Sequence, residues 1–225
     1  MFLRSAVIQA VILAFVCAAG RVHAAGAPAP STAPHELSDE QTQRFLSDIS
    51  DKLGSVTTLR ADFVQERRMA AFIDPLTAKG TCFFMAPQRI RWELKEPYRS
   101  ALLFNDGKVA KVLYEDGRPR RLEHGSREVM RQVLRIIALW MRGDFDAAKE
   151  YFDTQVLRDS VYRLRLTPRG EEMAAIIRTI ELAVDPESKR IRQITIREAR
   201  DDQIVITFVR EEVNIALDEA LFAVD

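Results

Sequence analysis

Arg89-Ile90-Arg91-Trp92-Glu93-Leu94-Lys95-Glu96-Pro97 is the stretch that decides how the rest of the chain is read. Its apolar residues fall at every second position, and charged residues fill the places between. Successive side chains of an extended strand point to opposite sides, so the pattern describes a strand with one greasy face and one wet face. Pro97 cannot donate to a ladder and closes the run. One-sided strands of this kind belong to antiparallel sheets, where one face packs on a core and the other meets water.

The same period extends outward on both sides. Ala61 and Phe63 alternate with Arg60 and Asp62, and residues 80–86, Gly-Thr-Cys-Phe-Phe-Met-Ala, form a further strand stopped by Pro87. Residues 100–105 and 108–114 flank Asp106-Gly107, a pair suited to the positive φ angles of a tight hairpin. Asp116-Gly117 repeats that signal. Farther on, Tyr162, Leu164 and Leu166 oppose Arg163 and Arg165, and Ile180, Leu182 and Val184 oppose Thr179 and Glu181. Asp185 to Ser188 turns into Ile194 and Ile196, and Asp201-Asp202 turns into Ile204, Ile206 and Phe208. A final element runs through Leu217, Leu221 and Phe222. The expected architecture is mainly β, with about ten short antiparallel strands joined by hairpins.

Two stretches change to helical spacing. Ser38 with Gln41 three residues on forms a capping box, and Phe45, Ile49, Leu53 and Val56 follow at helical spacing, with Leu46 widening the stripe and Gly54 ending the helix near its C-cap. The second stretch begins at Ser126. Val129, Met130, Val133, Leu134, Ile136, Ile137, Leu139, Trp140 and Met141 cover most of its circumference, and Arg127, Arg131 and Arg135 leave only a narrow polar edge. Gly143 interrupts it. Asp144 then caps a short helix carrying Phe145, Ala148, Tyr151 and Phe152. A helix this apolar is either fully buried or faces something greasy on a second side. Two or three helices cover a ten-strand sheet incompletely, which leaves room for a hollow.

The first 24 residues have a different purpose. Arg4 supplies a positive start, Ala6 to Gly20 is apolar apart from Gln9, and Val22-His23-Ala24 is a small-residue cleavage signal before Ala25. That layout is a secretory signal peptide, cleaved near Ala24-Ala25. Phe15-Val16 before Cys17 argues against a lipid-anchor site, which wants a small residue there. Residues 25–37 are rich in Ala and Pro and read as a disordered leader, and residues 38–225 as one domain. Cleavage removes Arg4 and Arg21, leaving 31 basic residues against 33 acidic ones, so the formal charge moves from zero to −2. That balance shows no global basic excess for nucleic acid or an anionic membrane. Only Cys82 remains, so the fold rests on its core and not on an internal disulfide.

Catalytic patterns are missing. His35 and His124 have no metal-ligand spacing, Cys82 has no CxxC partner, and neither a G-x-S-x-G elbow nor a glycine-rich phosphate loop occurs. The expectation is a protein without catalytic residues, metal or cofactor. Phe63, Phe83, Met85 and Trp92 then either fill a core or line a hollow, and Arg89 and Arg91 lie on a solvated outer face.

Taken in order, several short motifs carry a resemblance. Phe63-Val64-Gln65 follows a leading helix. Gly80 precedes a strand closed by Pro87, and Ile90-Arg91-Trp92 leads to Glu96-Pro97. Asp106-Gly107-Lys108, Gly143-Asp144, Phe152, Tyr162-x-Leu164-x-Leu166-x-Pro168, Asn214, Leu217, Asp218 and Phe222 complete the series. Over residues 38–224 the chain resembles the LolA-type outer-membrane lipoprotein carriers. The resemblance implies an unclosed antiparallel β-barrel with a helical lid over an apolar cavity. It implies a periplasmic carrier, a monomer, that shields the acyl chains of lipoproteins or a related lipid or glycolipid. Its partners would be an inner-membrane release complex and an outer-membrane receptor. A lipid-responsive periplasmic sensor on the same half-barrel is the alternative. On this basis Phe63, Phe83, Met85, Ile90, Trp92, Leu94, Leu102 and Phe104 are expected to line the cavity. Met130, Leu134, Ile137 and Met141 are expected to form the inward stripe of the lid. One position departs from the family: Ala86 stands before Pro87 where an arginine commonly latches the lid.

Overall fold

In a computed structural model of the protein, described for residues 34–70, 72–122 and 127–224, twelve strands form one antiparallel sheet. They are β1 (His35–Glu36), β2 (Thr58–Arg68), β3 (Leu76–Met85), β4 (Arg89–Glu96), β5 (Ser100–Asn105) and β6 (Lys108–Glu115). They continue as β7 (Arg118–Leu122), β8 (Phe152–Arg158), β9 (Tyr162–Pro168), β10 (Ile177–Val184), β11 (Ile191–Glu198) and β12 (Gln203–Val213). The helices are α1 (Asp39–Gly54), α2 (Arg127–Met141), α3 (Phe145–Ala148) and α4 (Glu171–Ala174), with a 3₁₀ turn at Glu219–Phe222. Side chains within α2 are described for Arg131 and from Leu134 onward.

The spatial order is β1-β8-β9-β10-β11-β12-β2-β3-β4-β5-β6-β7. Two meanders, β2–β7 and β8–β12, are fused along the β12–β2 pair, and the edges β1 and β7 do not meet. The molecule is therefore an unclosed barrel with helices. Both predicted tight turns are present: Asp106 and Gly107 have φ of 46° and 86°, and Asp116 and Gly117 have 51° and 76°. Positive φ at both central positions matches the right-handed twist of the flanking strands.

Two strands were not legible and raise the count from about ten to twelve. His35–Glu36, placed at the end of the leader, pairs with β8 at Leu157 and Arg158, and the Leu37 N–H donates to the Val156 carbonyl at 2.9 Å. Two residues are too short to show a period. Phe152, assigned to the short helix after Asp144, instead opens β8, because α3 stops at Ala148. The signal segment 1–24, residues 25–33 of the leader and the Ser126 cap lie outside the described residues.

Helix α1 begins as its capping box dictates. The Ser38 hydroxyl accepts from Gln41 N–H, and the Gln41 side chain accepts from Ser38 N–H at 3.0 Å. Phe45, Leu46 and Ile49 bury its inner stripe. Helix α2 resolves the puzzle of its apolar circumference, because it is wedged between two cores. Leu134 and Ala138 belong to a cluster with Phe63, Phe84, Ile90 and Phe104 from the β2–β5 half of the sheet. Ile136 and Trp140 belong to a second cluster with α1 and the β8–β10 half. Ile137 packs against both.

The outer face is less wet than the alternation suggested. Arg91 is only 11% exposed at its side chain and Glu93 8%. The chain end folds over them: Phe222 and Val224 are buried, with Val224 packed on Ala101, Leu103 and Ala110. Arg91 donates to the Leu221 carbonyl at 3.2 Å, and Asn105 donates to the Phe222 carbonyl at 3.1 Å. A carboxylate and a guanidinium survive burial here because each has several partners.

Candidate functional site: an apolar cavity beneath the middle helix

The concave face of the sheet is built by parity. On β2, Leu59, Ala61, Phe63 and Gln65 turn inward, and on β4, Ile90, Trp92 and Leu94. Phe63 packs on Trp92 with ring centroids 4.3 Å apart and planes tilted by 31°. Gly80, directly across from Phe63, leaves room for that ring; a Cβ there would overlap the Glu93 carbonyl oxygen and stand 2.5 Å from Phe63 Cζ.

Where the two cores meet, the packing leaves a cavity of about 180 Å³. Leu53 and Val56 close it from the α1 side, Leu59 and Trp92 from β2 and β4, and Ile137, Trp140 and Met141 from above. Leu182, Ile191, Ile194 and Phe208 complete the floor. Its polar lining comes from Lys52, Ser55, Arg190, Glu211 and Asn214. Asn214 also fastens this end of the barrel. Its Oδ1 accepts from Thr57 N–H at 2.8 Å, its Nδ2 donates to the Ser55 carbonyl at 3.2 Å, and its φ of 55° is one asparagine tolerates.

Of the residues expected to line the cavity, Trp92 does so, with Ile137 and Met141 from the lid stripe. Phe63, Ile90, Leu94, Leu102, Phe104 and Leu134 lie beside it in the solid core of the first cluster. The Met130 side chain is outside the described residues. Phe83 and Met85 are corrected: they occupy the opposite face. Phe83 sits in register with Arg60 and Arg91, and Met85 Sδ accepts from Arg89 at 3.5 Å. The inward residues of that strand are Cys82 and Phe84. A run of adjacent apolar residues hides the parity, and only the register of neighbouring strands restores it.

Alternation places Leu182, Ile194 and Phe208 on apolar strand faces but in no site, because the β12–β2 contact that brings them under α2 joins distant parts of the chain. Trp140 was counted only as part of an apolar helix. It is buried, and among the described residues its Nε1 has no hydrogen-bond partner. Glu211 reaches Arg190 at 3.5 Å, and burial raises its carboxyl above the usual carboxylate range, more than Arg190 and Arg192 lower it. The buried Cys82 thiol is pushed up to about 12 by desolvation, so it is an apolar filler and not a nucleophile. Among the described residues, no group of three His, Cys, Asp or Glu is placed to hold a metal, and no helix is long and apolar enough to cross a membrane.

Fold and cavity together define a class: an open antiparallel half-barrel with helices laid over an incompletely filled apolar face. The chain belongs to the family described as outer membrane lipoprotein carrier protein LolA, whose model matches residues 54–225. It is 25% identical over 171 residues to an outer-membrane lipoprotein carrier protein of Chromohalobacter salexigens, an alignment covering 76% of this chain and 77% of that one. The family is one of carriers and not of enzymes. Solved structures of similar fold include the MucA/MucB complex of Pseudomonas aeruginosa, at 12% identity and a TM-score of 0.48. That match covers 82% of this chain and 61% of that one. A LolA superfamily protein from Nitrosomonas europaea, at 12% identity and a TM-score of 0.43, is covered over 97% of its length by 79% of this chain. The Mycobacterium tuberculosis lipoprotein LppX matches at 10% identity and a TM-score of 0.42, over 80% of this chain and 99% of its own.

Proposed function

We propose that the protein is a periplasmic carrier that shields the acyl chains of a lipoprotein, or of a related lipid, between the inner and outer membranes. The observation that carries this reading is the vacant apolar space beneath α2, at the junction of two otherwise solid cores. Each acyl methylene taken from water contributes about 0.8 kcal/mol. A long chain therefore leaves a bilayer only into a comparable shelter. The family match and the name of the Chromohalobacter relative support the same reading.

The cavity of about 180 Å³ is comparable with the roughly 150 Å³ apolar hollow that admits a benzene ring. A full acyl chain requires more, so α2 must shift outward as cargo enters. The helix is suited to this because it is held on the sheet by side-chain packing. Cargo then displaces apolar contacts of one kind with apolar contacts of another, and the two states stay close in energy. Loading needs a donor and unloading an acceptor, which on this reading are a release complex in the inner membrane and a receptor in the outer one.

The test is uptake of a fluorescent fatty-acyl probe by the purified protein. The wild type is expected to bind it. Ile194→Trp, which fills the hollow from the sheet side, is expected to bind at least about tenfold more weakly with an unchanged or higher melting temperature. A wild type that takes up no probe overturns the proposal.

A further inference from the structure

The cavity is not uniformly greasy, and its charged lining has more donors than acceptors: Lys52 and Arg190 against Glu211. Trp140 is only 5% exposed, and among the described residues no group accepts from its Nε1 donor. A buried N–H without an acceptor is costly unless something outside the chain supplies one. Lys52 and Arg190 add two cationic donors to the lining. Among the described residues Lys52, in the last turn of α1, makes no ion pair, and Arg190 pairs with Glu211 alone, at the long distance of 3.5 Å. Apolar walls, one buried N–H and a surplus of cationic donors over one carboxylate fit a molecule with a tail, a carbonyl and an anion, in that order.

Resting on the carrier reading above, we propose that the cavity selects an anionic acyl lipid. Its phosphate or carboxylate head lies between Lys52 and Arg190, its ester or amide carbonyl accepts from Trp140 Nε1, and its chain lies among Ile137, Ile194 and Phe208. Glu211 shares the lining with Arg190. It meets Arg190 at Nη1, at the long distance of 3.5 Å, which leaves guanidinium N–H groups for the ligand. Arg190 gives a planar fork to the anion and Lys52 a point charge, a combination suited to tetrahedral and planar heads alike.

The experiment displaces bound 1-N-phenylnaphthylamine from the full-length mature protein with five twelve-carbon amphiphiles. These are 1-lauroylglycerol-3-phosphate, its ether analogue 1-O-dodecylglycerol-3-phosphate, uncharged 1-lauroylglycerol, sodium laurate and dodecyltrimethylammonium. The anionic ester is expected to bind about tenfold more tightly than both the neutral ester and the anionic ether, and the cation most weakly. Laurate against the acyl phosphate shows which anion is preferred; either one ahead of the neutral ester supports the proposal. In Lys52→Gln/Arg190→Gln the anionic advantage is expected to vanish, and in Arg190→Lys to persist in part. In Trp140→Phe the ester is expected to lose its lead over the ether, while the anionic advantage remains. Equal binding of all five probes, or a rank order that survives these substitutions, overturns the proposal and leaves the carrier reading standing. Failure of the wild type to take up phenylnaphthylamine at all defeats the carrier reading instead.

Discussion

Single residues set the concave wall. Phe63 can pack on Trp92 only because position 80 has no side chain. Gly80→Ala presses a methyl group into a backbone carbonyl that cannot move without breaking the β3–β4 pairing. A loss of roughly 2–3 kcal/mol is expected in urea denaturation, at the upper part of the range for overpacking. Glu93 matters in a different way. Burial alone would raise its carboxyl, but hydrogen bonds from Arg91 at 2.9 Å and Arg99 at 2.8 Å outweigh that and hold it below the usual range. A carboxylate whose pKa is lower when folded adds stability above its unfolded value and loses it as pH falls through the folded one. Glu93→Gln is therefore expected to lower stability at neutral pH by about 1.5–3 kcal/mol. The variant should also show a shallower decline than the wild type between about pH 5 and pH 2, read from denaturant midpoints across that interval.

At the scale of elements, α2 is the part on which function turns. Its described inner residues divide between two clusters, Leu134 and Ala138 on one and Ile136 and Trp140 on the other. Leu134→Glu places an unpaired carboxylate in the first cluster, and burying such a charge is costly. The helix is expected to lift and the two meanders to remain. Hydrogen exchange should accelerate in residues 127–141, with β2 and β3 still protected. Exchange that rises equally everywhere would show that α2 is an integral core helix and not a cover. Much of α2 was legible beforehand: the excess of apolar residues announced a second greasy contact, and Gly143 and Asp144 announced its end. The partner was not. A stripe at 130, 134, 137 and 141 assumes one flat floor, whereas the helix lies in a trough between two sheet halves, which brings Trp140 onto the cavity beside Ile137 and Met141.

On the scale of the whole molecule, an open barrel has two edges to protect. β1 has only two residues. β7 reads Arg118-Pro119-Arg120-Arg121-Leu122, so its free edge carries a proline and three arginines. Charge and proline on an edge deter pairing with a second chain. Pro119→Val with Arg121→Val should leave the chain folded and raise its tendency to associate, detectable by light scattering over a concentration series. Unchanged scattering would show that the edge is protected by something other than its own residues. The chain end supplies another global element. It converts the expected solvated face of β4–β6 into a third, small core over Ala101, Leu103 and Ala110.

By itself the sequence determined the class of fold: alternation set strands and faces, Asp-Gly pairs set the turns, and Ser38 and Gln41 set the start of α1. These are local rules, acting over two to four residues, and they hold before any distant contact forms. Tertiary structure alone decided which apolar faces fill one another and which leave space. The β12–β2 pairing joins residues about 150 positions apart and puts Phe208 and Ile194 across from Trp92, while the register of β3 between β2 and β4 turns Phe83 and Met85 away from the hollow. A cavity is what remains after packing, so no local pattern contains it.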